Sequence, residues 1–241
     1  ADSLAPFDID ANGTVVGEGG SGVLITTLDF ALRNFLDITS IIVGWGQSGE
    51  AGGKAHFAGV GFGGENALIH AFDLAHRGHG YSVADFQYLV AHATGTRTNS
   101  KTDLTTASNA RTSAAERQGH KGALPTMTVG TPKAVGDGHT MGETGLKGLS
   151  QALQFLLGKT AVGIPTLRNL DPELGPAAEA FALEAPPVPG NVDGGAVCAG
   201  RGAARGRRRD AGRRGARPAR QGAGRRAGGV GRGGTGGVPR R

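Results

Sequence analysis

Two histidines stand out by their surroundings. His92 lies in Ala91-His92-Ala93-Thr94-Gly95-Thr96, directly after the apolar run Tyr88-Leu89-Val90. His139 follows Gly138 and precedes Thr140-Met141-Gly142-Glu143. A histidine at a strand end, followed by small hydroxyl residues, puts an imidazole beside hydrogen-bond donors in a loop. The plain alternative is a core histidine with a satisfied ring. His139 falls where a helix is expected to start, and a helix N-terminus disfavours the imidazolium, which leaves a neutral ring able to donate. Lys133 stands shortly upstream of it. The single cysteine, Cys198, has no internal disulfide partner and reads as a small buried apolar residue.

Two other groupings lead to chemistry that the sequence does not support. Gly17-x-Gly19-x-x-Gly22 matches a dinucleotide fingerprint, but the β-branched run Val23-Leu24-Ile25 follows it. A helix N-terminus would be needed there to present amides to a pyrophosphate, so turns with positive φ are the better reading. His56, His70, His76 and His79 lie near one another in sequence without a cysteine or clear carboxylate partner, and no metal site is expected.

The elements that must carry these residues alternate in type. Short apolar runs predict strands at Val23–Ile25, Ile41–Val43, Tyr88–Val90, Met127–Val129 and Val162–Ile164, with a last strand near Val192–Cys198. Helices are expected over Phe30–Phe35, Glu65–Arg77 and Ala107–Gln118. Gly61–Asn66 reads as a loop entering the second helix, and Thr94–Asp103 as a polar loop before the third. Thr140 to Glu143 matches a capping box, with Leu146, Leu149, Leu153 and Leu156 following at helical spacing. Ser82 and Asp85 match a second box. Strands alternating with helices imply α/β layers.

Charge divides the chain. Residues 201–241 hold 14 Arg and one acid, Asp210, a net +13, whereas residues 1–200 carry −7 and give the overall +6. Arg, Gly and Ala fill 34 of those last 41 positions, so the segment cannot bury a core and is expected to be disordered. A reading-frame shift in GC-rich DNA near codon 202 would produce such text. The sequence has no apolar run near the ~18 residues of a membrane span and no basic-then-apolar leader, and a cytoplasmic location is expected.

Four motifs in order resemble the C-terminal half of the β-ketoacyl synthases, condensing enzymes of the thiolase superfamily. They are Pro6-Phe7-Asp8 with Gly17-Glu18-Gly19, His92 to Thr96, Lys133 with Gly138-His139, and Ile164-Pro165 to Asn169-Leu170-Asp171. The departures are Ala11 for a usual Arg, Ala93 for a usual Gly, an aspartate delayed to Asp103, and Gly148 where many members have Glu. The resemblance implies a thiolase-like layered α/β fold, with residues 1–35 a remnant of the N-terminal half, 36–200 the C-terminal domain and 201–241 the tail. It implies decarboxylative Claisen condensation of acyl and malonyl thioesters in fatty-acid or polyketide synthesis.

In that reading His92 and His139 donate to the thioester oxygen as the enolate forms, each donor being worth roughly 3–4 kcal/mol. Lys133 supplies positive field and holds the histidines, and Thr94 and Thr96 hydrogen-bond the phosphopantetheine arm. The nucleophilic cysteine would lie upstream of the first motif, so the role is not moved to Cys198. No resident cofactor is implied, since substrates ride on an acyl carrier protein or coenzyme A. The implied partners are that carrier protein and a second ketosynthase-type subunit, in a homodimer or heterodimer. A non-catalytic subunit like the chain-length factors, or a nucleic-acid-binding protein acting through the Arg/Gly tail, is the alternative; electrostatic binding by a +13 segment is otherwise incidental.

Overall fold

The computed structural model describes residues 4–49, 62–136, 138–158, 160–161, 163–183, 188–189, 196–199 and 202–205. The strands are β1 (Ile41–Trp45), β2 (Phe86–Val90), β3 (Met127–Gly130), β4 (Thr160–Ala161), β5 (Phe181–Ala182), β6 (Val188–Pro189), β7 (Ala196–Ala199) and β8 (Gly202–Arg205). The helices are α1 (Leu28–Arg33), α2 (Phe62–His79), α3 (Arg97–Arg117) and α4 (Thr144–Leu156). Six strands form one sheet in the order β1-β8-β7-β2-β3-β5. β7, β2, β3 and β5 run parallel, and β8 is antiparallel to both its neighbours. β4 and β6 pair separately.

β2 shows why the apolar run was legible as a central strand. A stretch of strand covered on both faces reads as a continuous apolar run, here Tyr88 to Val90, after the exposed Gln87. Leu89 joins the larger core, which holds Leu68 and Phe72 of α2, Leu104 and Ala107 of α3, and Val129 of β3. Its neighbours Tyr88 and Val90 point the other way, onto Ala152 and Phe155 of α4. Tyr88 stacks on Phe155 with ring centroids 5.0 Å apart, and its buried hydroxyl accepts from Gln151 Nε2 at 2.6 Å. Helices thus cover both sides of the sheet, the layered α/β arrangement expected from the sequence.

Several elements differ from expectation. Val23–Ile25 forms no strand; no described strand pairs with it, and Leu24 is 91% exposed. A β-branched run specifies a strand only where a neighbour supplies hydrogen bonds. Phe30 and Leu32 of α1, with Phe35 beyond it, are exposed as well. The Thr94–Asp103 loop is instead mostly helix: Thr96 caps α3 by accepting from Asn99 N, and Ser100, Leu104, Ala107, Ala110 and Ala114 supply a small-residue buried face. Phe62–Asn66 likewise opens α2 rather than preceding it. The 160s strand is shifted, with β4 at Thr160–Ala161 and Ile164 in a buried turn.

Of the two capping boxes, the one at Ser82 and Asp85 is formed, and the one at Thr140 is not. Thr140 gives its hydroxyl proton to the Glu143 carboxylate instead of capping backbone. The buried face of α4 is Gly148, Ala152 and Phe155, while Leu146 is exposed. Close approach to β2 favours the small residues over the leucines; a Cβ on Gly148 would stand 3.3 Å from Val90 Cγ1. Within the segment expected to be a tail, Gly202–Arg205 pairs with both β1 and β7 and satisfies backbone groups of each. Residues 206–241, and His56 and Gly61, lie outside the described residues.

Candidate active site

The segment from Leu4 to Ser21 is where the first motif acts. Asp8 is buried, and its carboxylate accepts from the backbone N–H groups of Asp10, Arg168 and Asn169 at 2.9, 2.7 and 2.9 Å. Burial alone would push this carboxyl up, but the three amides and Arg168 outweigh it and hold it below 3.8. The Pro-Phe-Asp motif and the Asn-Leu-Asp motif are therefore one clamp. Beyond it, Gly13 N–H donates to Gly95 O at 3.1 Å and Thr14 Oγ1 to Thr94 O at 2.7 Å. His139 N–H donates to Val15 O at 2.7 Å, and Gly17 N–H to His139 O at 3.1 Å. The strap so ties both histidine loops together. Glycine is required at both crossings: a Cβ on Gly95 (φ 84°) would stand 2.5 Å from Gly13 O, and one on Gly138 (φ 63°) 2.8 Å from Val15 O.

His92 extends β2 by two residues. Ala91 N–H still donates to Gly130 O at 2.9 Å, and the chain then turns at Ala93 with φ 45°. Two groups hold that turn. Ala93 N–H donates to Asp103 Oδ2 at 2.6 Å, and Lys133 Nζ donates to His92 O at 2.5 Å. Lys133 rises from the short 3-10 helix Pro132–Val135, after β3, and is only 3% exposed. Burial lowers its pKa from 10.5 to about 8, against the pull of Asp103.

The rings of His92 and His139 meet edge to face, with centroids 5.2 Å apart and planes at 90°. Met141, itself at φ 53°, donates its backbone N–H to His139 Nδ1 at 3.0 Å. An amide can only donate, so Nδ1 is the acceptor and the neutral ring carries its proton on Nε2. Burial, and then the charge on Lys133, lower the His139 pKa, which keeps the ring neutral at pH 7. The helix-terminus explanation does not apply: α4 starts at Thr144, beyond an intervening 3-10 turn.

Thr94 is buried and its Oγ1 accepts from Asn99 Nδ2 at 2.7 Å. Thr96 is half-buried at the α3 N-cap. Both expected hydroxyls thus follow His92 in the same loop and are engaged with the first turn of α3. The residues missed from sequence are Asp103, Thr144 and Glu143. Asp103 was legible as an aspartate but was placed in a loop rather than on a helix reaching back. Among the described residues no cluster of metal-binding side chains occurs, and no helix is long and apolar enough to cross a membrane. A hollow of about 660 Å³ on the outer face of α3 contains Arg97, bidentate to Asp171 at 2.7 and 2.8 Å; it is lined by neither histidine nor Lys133.

Over 169 residues, 70% of the chain, the sequence is 30% identical to the 3-oxoacyl-[acyl-carrier-protein] synthase 2 of Staphylococcus aureus strain COL. A 91-residue stretch is 33% identical to the enzyme of the same name from Rhizobium meliloti. The chain spans 37% and 21% of these two curated relatives. No family model matches it. The fold is similar to that of the oxazolomycin ketosynthase domain of Streptomyces albus, with a TM-score of 0.69 and 22% identity, over 84% of this chain and 35% of that one. It is also similar to the ishigamide ketosynthase/chain length factor, with a TM-score of 0.57 and 25% identity, over 84% and 45%.

Proposed function

We propose, for a chain that is a β-ketoacyl synthase of the thiolase superfamily over part of that family's length, that its residues carry the malonyl half of a decarboxylative condensation. The carrying observation is the pair of imidazoles 5.2 Å apart at the ends of adjacent loops, one with its Nε2–H fixed as a donor. In the half-reaction the bond between Cα and the carboxylate of a malonyl thioester breaks. Carbon dioxide leaves, the electron pair passes into the enolate, and negative charge gathers on the thioester oxygen. His92 and His139 donate to that oxygen where the charge develops. Lys133 holds the His92 carbonyl, and its charge disfavours protonation of His139. Thr96, half-buried at the N-cap of α3, and the buried Thr94 stand on the loop that would meet a phosphopantetheine arm delivered by an acyl carrier protein.

Acyl transfer and carbon–carbon bond formation additionally need a nucleophilic thiolate. Cys198, the one cysteine, lies on β7 beyond both histidines and is not given that role. The test is to incubate the full chain with malonyl-carrier protein and follow acetyl-carrier by mass spectrometry. His92→Ala and His139→Ala are each expected to slow decarboxylation about 100-fold or more. Equal rates in wild type and both variants would refute the assignment. A non-catalytic role is the second reading, favoured by the likeness to a ketosynthase/chain length factor, and it predicts no decarboxylation by the wild type.

A further inference from the structure

Residues 22–35 form an apolar surface that the proposed reaction does not use. Val23-Leu24-Ile25 carries apolar and β-branched side chains, yet no described strand lies beside it. Among the described residues no hydrogen bond reaches its backbone. The segment is held at both ends. Ser21 Oγ donates to the Glu143 carboxylate, and Thr27 Oγ1 accepts from Phe30 N–H at 3.2 Å to cap α1. Leu24 and Ile25 are 91% and 65% exposed, and Leu28, Leu32 and Phe35 are 46%, 60% and 94%. These five side chains expose on the order of 700 Å² of largely apolar surface, close to the ~800 Å² that one partner brings to a standard interface. An unpaired, apolar, β-prone segment is a template for one more strand.

Whatever covers this surface must supply unpaired backbone and apolar side chains together, and residues 22–35 of a second copy supply both. We propose that two copies of this chain pair through Gly22–Thr26, antiparallel about a two-fold axis at Leu24. One patch then serves both subunits, and the assembly closes at two. The two Leu24 side chains face each other as a non-hydrogen-bonded pair. Ile25 N–H donates to the carbonyl of Val23 of the partner subunit, and the same bond recurs across the axis. A two-stranded ribbon alone is marginal in water, so Leu28, Leu32 and Phe35 beside it must be covered in the same contact. The anchors at Ser21 and Thr27 confine pairing to the residues between them, which limits register slip and growth of a longer sheet. The pairing uses neither histidine and is independent of the proposed reaction.

The test is analytical ultracentrifugation of the full chain across micromolar concentrations, with a monomer–dimer equilibrium expected and no larger species. Ile25→Pro keeps an apolar residue but removes the donated N–H in both copies, and should weaken the dimer at least about tenfold. Ile25→Val keeps the N–H and should weaken it far less. Ile25 is exposed, so circular dichroism should be unchanged in both variants. In the wild type, exchange of the Val23 and Ile25 amides should slow as concentration rises. In a Cys198→Ala background, Leu24→Cys should give a disulfide-linked dimer under mild oxidation, since facing residues of a ribbon stand within disulfide reach. Lys121→Cys, exposed and remote in sequence, should not. A monomer at every concentration or open-ended aggregation would overturn the proposal. So would a dimer weakened equally by Ile25→Pro and Ile25→Val and not linked through Leu24→Cys, since it would be joined elsewhere or without strand pairing.

Discussion

Lys133→Met isolates the cost of holding an ammonium at the centre of the site. Lys133 is 3% exposed, and burial brings its pKa from 10.5 to about 8. Because the folded value is the lower one, the unfolded chain binds more protons between the two. Stability therefore rises with pH across this window, and the contribution is lost as pH falls back towards 8. The fall from 10.5 to about 8, at about 1.4 kcal/mol for each tenfold step, gives roughly 3.5 kcal/mol in the limit and about 3 by pH 10.5. Methionine carries no charge but forfeits the bond to His92 O, worth about 1.5–3 kcal/mol while the amine is charged. The two effects offset each other near pH 7, where variant and wild type should be similarly stable. The measurement is urea unfolding by circular dichroism at several pH values from 7 to 10.5. The gap between the curves, wild type over variant, should widen by roughly 3 kcal/mol. Parallel curves would mean that the amine is solvated at neutral pH and that the burial argument is wrong.

Asp8→Asn should cost on the order of 2–3 kcal/mol, since an amide cannot accept from all three backbone N–H groups. It should also remove a loss of stability that wild type shows as pH falls below 3.8 through the depressed folded pKa, read by acid titration of the circular dichroism signal. Ala93→Gly exchanges a left-handed alanine, about 1–2 kcal/mol of strain, for the loss of one buried methyl, about 0.8 kcal/mol. A melting temperature raised by up to about 2–4 °C is expected in calorimetry, and a fall would show that the methyl matters more. Cys198→Ala should leave malonyl decarboxylation unchanged, while 3-oxoacyl product made by wild type and lost in this variant would make Cys198 the nucleophile. Leu24 and Phe35, 91% and 94% exposed, should promote concentration-dependent association in light scattering, relieved by Leu24→Ser with Phe35→Ser.

The sequence made β2, β3 and the two histidines legible because their signals are local: an apolar run buried on both faces, then small residues that let a loop turn. What it did not reveal depends on partners distant in the chain. Val23–Ile25 has strand chemistry and no described neighbour to pair with. The leucines of α4 outrank Gly148 and Ala152 in hydropathy, yet proximity to β2 selects the small residues for the buried face. Asp103 reads as a loop residue until Thr96 is seen to cap α3, after which the aspartate lies on the second turn, in reach of Ala93 N–H. Glu143 was assigned to a cap, whereas its carboxylate takes side-chain hydroxyls from Thr140 and Ser21. The strap from Gly13 to Gly17 appeared only as a motif; its function is to bridge loops that lie about 80 and 120 residues away in sequence.

The placement of β8 also bears on how the sheet assembles. β1 ends at Trp45 and its one neighbour in the sheet order is Gly202–Arg205, so about 150 residues must be looped before that pairing closes. On a chain-statistics scale this closure costs roughly 4–5 kcal/mol beyond a constant, offset in part by the packing of β1 against α2, its near neighbour in sequence. β7 and β8, separated by two residues, form a ribbon at little such expense. The pairing of β1 with β8 is therefore expected to form late, after the more local contacts of β2, β3 and α3. A chain arrested before residue 202 would retain the histidine loops but leave β1 unzipped, and amide exchange should be fastest there among the strands of the main sheet.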